Sequence, residues 1–444
     1  MARVKTEKSS KVEALGEDNI PSLVLRFSGT TLIALLLSSV YTLLDALFVS
    51  WGVGDDAMGG VSIVFPFVVL QAAISTAVGG GAASIVSRKL GEGKHGEAGE
   101  VTLNAMVIFY GSAVITTVLG FLFLNPLLSA LGTTGELQQY AKQYFIIILA
   151  GNVFSTGFSS IIRAEGKMLY GLLIWVIPIS INIILDIIFI FGLGWGVPGS
   201  ALSTVLCQFA SFCMSMLFFK RFSVQKFKGA RVRLKRVGEV LAIGLPSLVQ
   251  MGSLSIMSAL LNNVLRSVGG TPGITTFAYI SKIVTFAIVP FTAITQALAP
   301  IVGYNYGVGN KKRVKKTVTF CLWISFVYAI AALLLAQIIP EQFMRIFTNN
   351  GEIIALGVSS LRVIALSLVW MPLPLFAGAA LQAIGQKLWA FIMYASNLVF
   401  LIPAVFLLSQ FFGLSGVWWA YVAANVLASV LAVILLFMKK LFAS

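Results

Sequence analysis

Long apolar runs, each ended by a short polar break, recur along the whole chain. Read as elements, they place spans at 22–50, 57–87, 98–124, 136–162, 168–192 and 198–219. After a polar stretch, six more follow at 239–265, 273–304, 317–340, 352–383, 388–411 and 415–438. A helix needs about 20 mostly apolar residues to cross a bilayer core, so the pattern predicts an all-α integral membrane protein of twelve transmembrane helices. A barrel is excluded, because its strands alternate polar and apolar positions and these runs do not. Composition agrees: hydrophobic residues fill 58% of 444 positions and charged ones 11%, with a mean hydropathy of +0.95. The opening "MARVKTEKSSKVEALGEDNI" is polar and lacks the apolar region of a cleavable signal peptide. Insertion is expected to rely on the first span.

The net charge of +15 raises the question of nucleic acid, and the placement of the charges answers it. Nineteen Lys and Arg lie in the loops that follow even-numbered spans, whereas the loops after odd-numbered spans hold only Arg266 and Arg345. This is the positive-inside imbalance, which places both termini in the cytoplasm and argues against a nucleic-acid partner. The stretch "KRFSVQKFKGARVRLKR" (220–236) becomes a central cytoplasmic linker. Its basic residues are expected to act mainly as a solvated topology signal, with contact to anionic membrane lipids a secondary role. Cys207, Cys213 and Cys321 are too scattered for a disulfide or metal site and read as small apolar residues. "GEGKHG" (91–96) has the glycine spacing of a dinucleotide loop but follows a membrane helix, so it reads as a turn, with His95 in the same loop.

The two halves of the chain echo each other. "PSLVLRFSG" at 21 pairs with "PSLVQMGSL" at 246, and "VSRKLGEGK" at 86 with "VGYNYGVGN" at 302. "IRAEGK" at 162 pairs with "LQAIGQ" at 381, and "GVPGSALST" at 196 with "GLSGVWWAY" at 413. The expected organisation is a tail (1–20), a six-helix bundle (21–219), a linker (220–238) and a second six-helix bundle (239–444). Six is even, so the bundles have the same orientation and are related by a pseudo-two-fold along the membrane normal. Such halves enclose a cleft and can rock around it, the architecture of a secondary transporter.

One run, "SINIILDIIFIFG" (180–192), carries a carboxylate, Asp186, among isoleucines and phenylalanines. An Asp at a helix centre costs roughly 2.5–3.5 kcal/mol on insertion scales, so it normally faces a cavity or partner. Asn182 and Asp186 stand at i and i+4, on one helix face. Thr204 is six residues past the Pro198–Gly199 turn, about 9 Å into the next helix and near the level of Asp186. Asp45, in "YTLLDALFVS", lies close to the outer end of the first span. Two acids, an amide and a hydroxyl can therefore converge in the outer half of one bundle. Desolvation and mutual repulsion favour uptake of a proton there, and the same oxygens can ligate Na⁺. In the repeat alignment Asn182 falls near Asn397, but the acids meet "LIP" (401–403) and "LLNN" (260–263), so the carboxylates belong to the N-terminal half. Asp55 and Asp56 read as solvated loop residues. Lys282 and Arg362, basic residues within spans, read as a structural salt-bridging pair, and "GGGAAS" (79–84) as a site of close helix packing.

These stretches together carry a resemblance over the whole chain. "ASIVSRKLGEGK", "IRAEGK", "SINIILDIIFIFG" with "GVPGSALST", "QALAPIVGYNYGVGNKK" and "LQAIGQ" stand in the order and spacing of the multidrug and toxic compound extrusion (MATE) transporters. The resemblance is to the bacterial branch that includes DinF-like and MepA-like proteins. It implies a bacterial inner-membrane antiporter, monomeric and without cofactor, that exports amphipathic, often cationic compounds in exchange for H⁺ or Na⁺. It places the coupling residues at Asp45, Asn182, Asp186 and Thr204. "SALLNNVLRS" in the seventh span departs from the NorM-like pattern of an acid there, which argues against a second cation site. The alternative is a lipid or lipid-linked saccharide flippase of the same superfamily, which calls for several basic residues in the cavity where only Lys282 and Arg362 are available. A membrane enzyme would need a nucleophile, metal or His cluster that the sequence does not offer.

Overall fold

In hydrocarbon every backbone N–H and C=O has to be satisfied within the chain, so apolar runs of this length become helices. The computed structural model, which describes residues 13–130, 136–155 and 157–438, is about 90% helix, with no strand among the described residues. The first three runs form α1 (Ile20–Gly52), α2 (Asp55–Gly91) and α3 (His95–Leu122), followed by the short α4 (Leu124–Ala130). The fourth run is broken: α5 (Glu136–Gly151), a 3₁₀ turn at Asn152–Phe154 and α6 (Phe158–Ala164). Then come α7 (Met168–Asp186) with a π-helical turn at Ile187–Gly192, and α8 (Gly196–Arg221).

The second half opens with α9 (Leu234–Val308), a continuous helical assignment of 75 residues. A straight helix of that length would run about 110 Å, several times the bilayer core. A Cβ at Gly273, however, would lie 3.7 Å from the carbonyl oxygen of Leu265, eight residues back and about 12 Å away along a straight helix. The chain therefore folds back between Leu265 and Gly273. α10 (Lys311–Ile338) and α11 (Pro340–Arg345) follow, and then the tenth run, split into α12 (Gly351–Ala365), α13 (Ser367–Trp370) and α14 (Pro372–Ala383). The last element, α15 (Lys387–Met438), turns at Gly413, whose φ of +56° is open to glycine at little cost. Among the described residues ten helices are long and apolar enough to cross a membrane, and the reversals inside α9 and α15 complete the twelve.

Both halves interrupt their fourth run at equivalent places. The first break is covered by polar side chains: Asn152 Nδ2 donates to Thr116 Oγ1 (2.9 Å) and to the Ala113 carbonyl (3.2 Å), while Thr117 donates to the Leu149 carbonyl (3.0 Å). Gln71 adds a bond to Thr116 at 2.6 Å. In the second half Pro372 and Pro374 interrupt the ladder, since proline has no N–H to give.

The chain divides into two compact units, Met1–Ala14 with Thr30–Gly244, and Leu15–Gly29 with Leu245–Ser444. The first has a core around Val49, Val64, Phe145, Leu149, Ile190 and Ala201. The second has one around Leu265, Phe291, Met344, Leu361, Leu401 and Trp418. In the first unit, close packing relies on glycine. A Cβ at Gly79 would sit 2.7 Å from the Gly157 carbonyl, and one at Gly81 would meet the carbonyl of Val240 and the nitrogen of Gly244. In the second, Asn305 Nδ2 donates to the Leu15 carbonyl at 2.8 Å, and Arg313 donates to the carbonyls of Leu15 and Asp18.

Several expectations are corrected. The basic run at 311–316 is helix and not loop, because the Asn310 side chain accepts from Arg313 N (3.0 Å) and caps α10. Asp55 and Asp56 open α2 instead of lying in a loop, and their side chains lie outside the described residues, as do those of Asn262 and Asn263. Lys282 and Arg362 make no ion pair among the described residues: the Lys282 ammonium lies 5.9 Å from the Phe347 ring centroid, and Arg362 is exposed. "GEGKHG" does form a turn, with Gly93 at φ +72°, though His95 is already the first residue of α3.

The segment after α8 is held down firmly. Glu165, fully buried between α6 and α7, accepts from Ser223 Oγ (2.6 Å), Val224 N (2.9 Å) and Gln225 Nε2 (2.7 Å). Burial holds this carboxyl above its ordinary range, although the three hydrogen bonds and Lys167 pull the other way. All three partners donate, so an amide at this position would turn a donor against a donor. Glu165→Gln is expected to speed hydrogen exchange at Val224 and Lys226 by about tenfold or more, given roughly 1.5–3 kcal/mol per charged hydrogen bond. Unchanged exchange would show that the carboxylate does not hold the segment.

Candidate functional site

The buried stripe of α7 runs through Ile174, Pro178, Asn182 and Asp186, four residues apart each time. Asn182 and Asp186 are fully buried. Pro178 removes one rung of the helical ladder, and the π turn begins directly after Asp186, the kind of irregularity that often marks working sites.

α8 faces this stripe with hydroxyls. Ser203 Oγ donates to Asp186 Oδ1 and accepts from Asn182 Nδ2 (3.3 Å). With its nitrogen engaged, Asn182 keeps its Oδ1 free. α1 brings Asp45 against Asp186 and Ser200, and one turn earlier Tyr41; Tyr41 and Tyr144 of α5 both stand within reach of Thr204. The three helices thus contribute i, i+4 pairs of the same design: Tyr41 with Asp45, Asn182 with Asp186, Ser200 with Thr204.

The cluster is left incomplete in a particular way. Nine buried side-chain N or O atoms have no hydrogen-bond partner among the described residues, and five of them are here: Asp45 Oδ1, Asn182 Oδ1, Asp186 Oδ2, Ser200 Oγ and Thr204 Oγ1. Every one is an oxygen. An unsatisfied buried oxygen costs about 1–3 kcal/mol, so five in one place call for something to bind them. No cationic side chain is among them, and no group of His, Cys, Asp and Glu among the described residues has the composition of a transition-metal site. Two carboxylates, an amide oxygen and two hydroxyls suit a hard monovalent cation or a proton.

All four residues expected from the sequence are brought together. The same sequence pattern is matched by known proteins: the MatE family pattern fits the chain twice, over residues 31–188 and 246–407, together well over half of its length. The chain belongs to the MatE family. The double match also supports the duplication, since the two segments are offset by about the interval at which the motifs recur. Among MatE-like proteins, the chain is 25% identical over 430 residues to the multidrug export protein MepA of Staphylococcus haemolyticus, covering 95% of this chain and 94% of the relative. It is 24% identical over 423 residues to MepA of Staphylococcus aureus, covering 94% and 93%. A crystal structure of a MATE protein in the bent conformation superposes with a TM-score of 0.90 at 25% identity, covering 97% of each chain. An outward-facing multidrug resistance MATE family transporter gives 0.89 at 24% identity, covering 97% and 98%, a likeness of fold.

Sequence reasoning missed Tyr41, Tyr144, Ser200 and Ser203. Extending the i, i+4 rule from Asp45 and Thr204 would have found Tyr41 and Ser200. Ser203 depends on which face of α8 meets α7, and Tyr144 on which face of α5 meets α8, and no local spacing carries that. In the second unit, Asn397, near the position equivalent to Asn182, donates to Asn425 Oδ1 (3.0 Å).

Proposed function

We propose that this MatE protein is a secondary antiporter of a bacterial inner membrane that exports amphipathic, cationic organic compounds in exchange for H⁺ or Na⁺. Asp45, Asn182, Asp186 and Thr204 form its ion site. The observation that carries the reading is the group of five unpartnered oxygens, two of them carboxylate, gathered on α1, α7 and α8. A bound ion neutralises the acids and lets the helices close around them; an emptied site has to be hydrated or paired, which favours another arrangement. The two bundles rock in response, and the cleft opens to alternate sides. Ser200 and Ser203 join the site, the first as a further oxygen and the second by orienting Asn182. Export of multiple drugs by the MepA relatives supports the substrate class.

The decisive experiment is counterflow of a fluorescent cationic dye in proteoliposomes with the pH and Na⁺ gradients imposed separately. Accumulation driven by at least one gradient is expected. Dye movement indifferent to both would sink the antiport reading, and would leave the flippase to be tested with labelled lipid.

The positive-inside imbalance makes both termini and the linker cytoplasmic. Lys228 is exposed and its side chain is uncommitted, unlike Ser223, so a single Cys at 228 on a background lacking Cys207, Cys213 and Cys321 is a clean reporter. An impermeant maleimide is expected to label Lys228→Cys only after the cells are opened. Labelling in intact cells would invert the topology.

A further inference from the structure

We propose that the segment between α8 and α9 is a docking surface for anionic phospholipid headgroups, independent of the ion site and of the transport reading. Its position follows from its connections: α8 leaves the membrane at Arg221 and α9 begins at Leu234, so residues 222–233 lie at the membrane boundary.

The segment is not a loose tether. Besides the three bonds to Glu165, Lys226 N donates to the His95 carbonyl (3.0 Å). Asn104 grips it twice, donating to the Arg231 carbonyl (3.0 Å) and accepting from Arg233 N (2.8 Å). Gly99 packs directly beneath the Lys226 carbonyl, where a Cβ would collide. A backbone fixed at this many points presents its side chains in a constant array.

That array has two parts. Arg233 and Arg236 are consumed internally: Arg233 pairs with Glu100 (3.3 Å), and Arg236 with Glu97 (2.8 Å) and Glu239 (2.9 Å). Lys226, Lys228, Arg231 and Lys235 are exposed and have no ion pair among the described residues. Apolar side chains alternate with them. Val232 is 55% exposed and Leu234 88%, the most exposed large apolar side chain among the described residues. In water such a Leu between two cations has no purpose. At a headgroup layer the arrangement is complementary: the ammonium and guanidinium groups meet lipid phosphates while Val232 and Leu234 enter the acyl boundary. The alternation favours lipid over nucleic acid or an acidic protein, which would gain nothing from the exposed leucine.

The test uses the full chain in nanodiscs, with a bimane fluorophore at Leu234→Cys on the Cys-free background. Discs of phosphatidylcholine alone are compared with discs containing phosphatidylglycerol. A blue shift that grows with the phosphatidylglycerol fraction and weakens with added salt is expected. K226Q/K228Q/R231Q/K235Q is expected to weaken the lipid preference roughly fivefold per charge, several hundredfold in all. These residues are exposed and their side chains hold nothing in place, so folding should survive; a monodisperse size-exclusion profile of the variant reports on that directly. Equal emission in both lipids would overturn the proposal, as would an unchanged quadruple variant. A shift produced in phosphatidylcholine discs by free glycerol phosphate would assign the surface to soluble anions instead, and one produced by polyglutamate would assign it to an acidic protein. Either result overturns the lipid assignment.

Discussion

Asp186→Asn is expected to abolish gradient-driven efflux while the protein still inserts and folds. The substitution keeps the size of the side chain and an oxygen that can accept from Ser203, so the packing of α7 on α8 is preserved. It removes the charge. A ligand shifts a conformational equilibrium only by its differential affinity for the two states, and a neutral amide neither gains nor loses a proton and holds Na⁺ poorly. Coupling then has no handle. The driving force at stake is large: one pH unit is worth about 1.4 kcal/mol, and 100 mV about 2.3 kcal/mol per charge. Together these support roughly 500-fold accumulation if one net charge moves per cycle, and the variant should fall to equilibration. Asp45→Asn should give a similar but milder loss, since Asp45 is only partly buried whereas Asp186 is fully so. Asn182→Ala and Thr204→Ala should weaken ion dependence without abolishing transport. The effect should be more severe if Na⁺ is the ion, because Na⁺ needs several oxygens and a proton needs one. Proteoliposomes with separately imposed gradients measure all four. Normal pH- and Na⁺-driven accumulation by Asp186→Asn would return both acids to a structural role.

Why so much of this was legible in the sequence is a matter of solvent. In hydrocarbon, helix length and apolar content are nearly one signal, so the spans follow from composition. A lone acid in such a run is expensive, and Asp186 stood out for that reason. What the sequence hid were features decided by contacts between helices. The breaks at Asn152 and Pro372 were passed over because a span-length stretch averages Gly151, Asn152 and Ser155, or Pro372 and Pro374, into an apolar whole. The fate of Lys282, over a ring of Phe347 instead of in an ion pair, depends on a residue 65 positions away. Ser203 was invisible because small hydroxyls are common in membrane helices and bond their own backbone, as Ser203 also does to the Ser200 carbonyl at 2.8 Å. Only the facing stripe of α7 gives it a second role. The start of α10 at Lys311 was missed because charge was read as loop, although Asn310 supplies a cap strong enough to begin a helix on six mainly basic residues.

Gly81→Val is expected to prevent the first unit from assembling. In a membrane, apolar side chains gain nothing by leaving lipid for one another, so helices associate through close backbone approach, which requires residues without bulk. α2 and the start of α9 meet in this way. A Cβ at Gly81 would collide with the Val240 carbonyl and lie 2.8 Å from Gly244 N and 3.0 Å from Gly244 Cα, while one at Gly244 would collide with the Ala77 carbonyl. All of these are backbone atoms, and they cannot rotate aside as a side chain can. Valine adds two further methyl groups at a fixed χ1, so the helices must separate or the backbone must bend. Overpacking typically costs 1–3 kcal/mol, and about 3 kcal/mol or more is expected where only backbone can yield. Gly111 is the control, since a Cβ there has nothing within 4 Å. Fluorescence-detected size exclusion of tagged protein should show an aggregated or vanishing peak for Gly81→Val, a reduced melting temperature for Gly81→Ala and a near-native profile for Gly111→Ala. A monodisperse Gly81→Val protein with native thermal stability would mean that α2 and the start of α9 are not held at backbone distance.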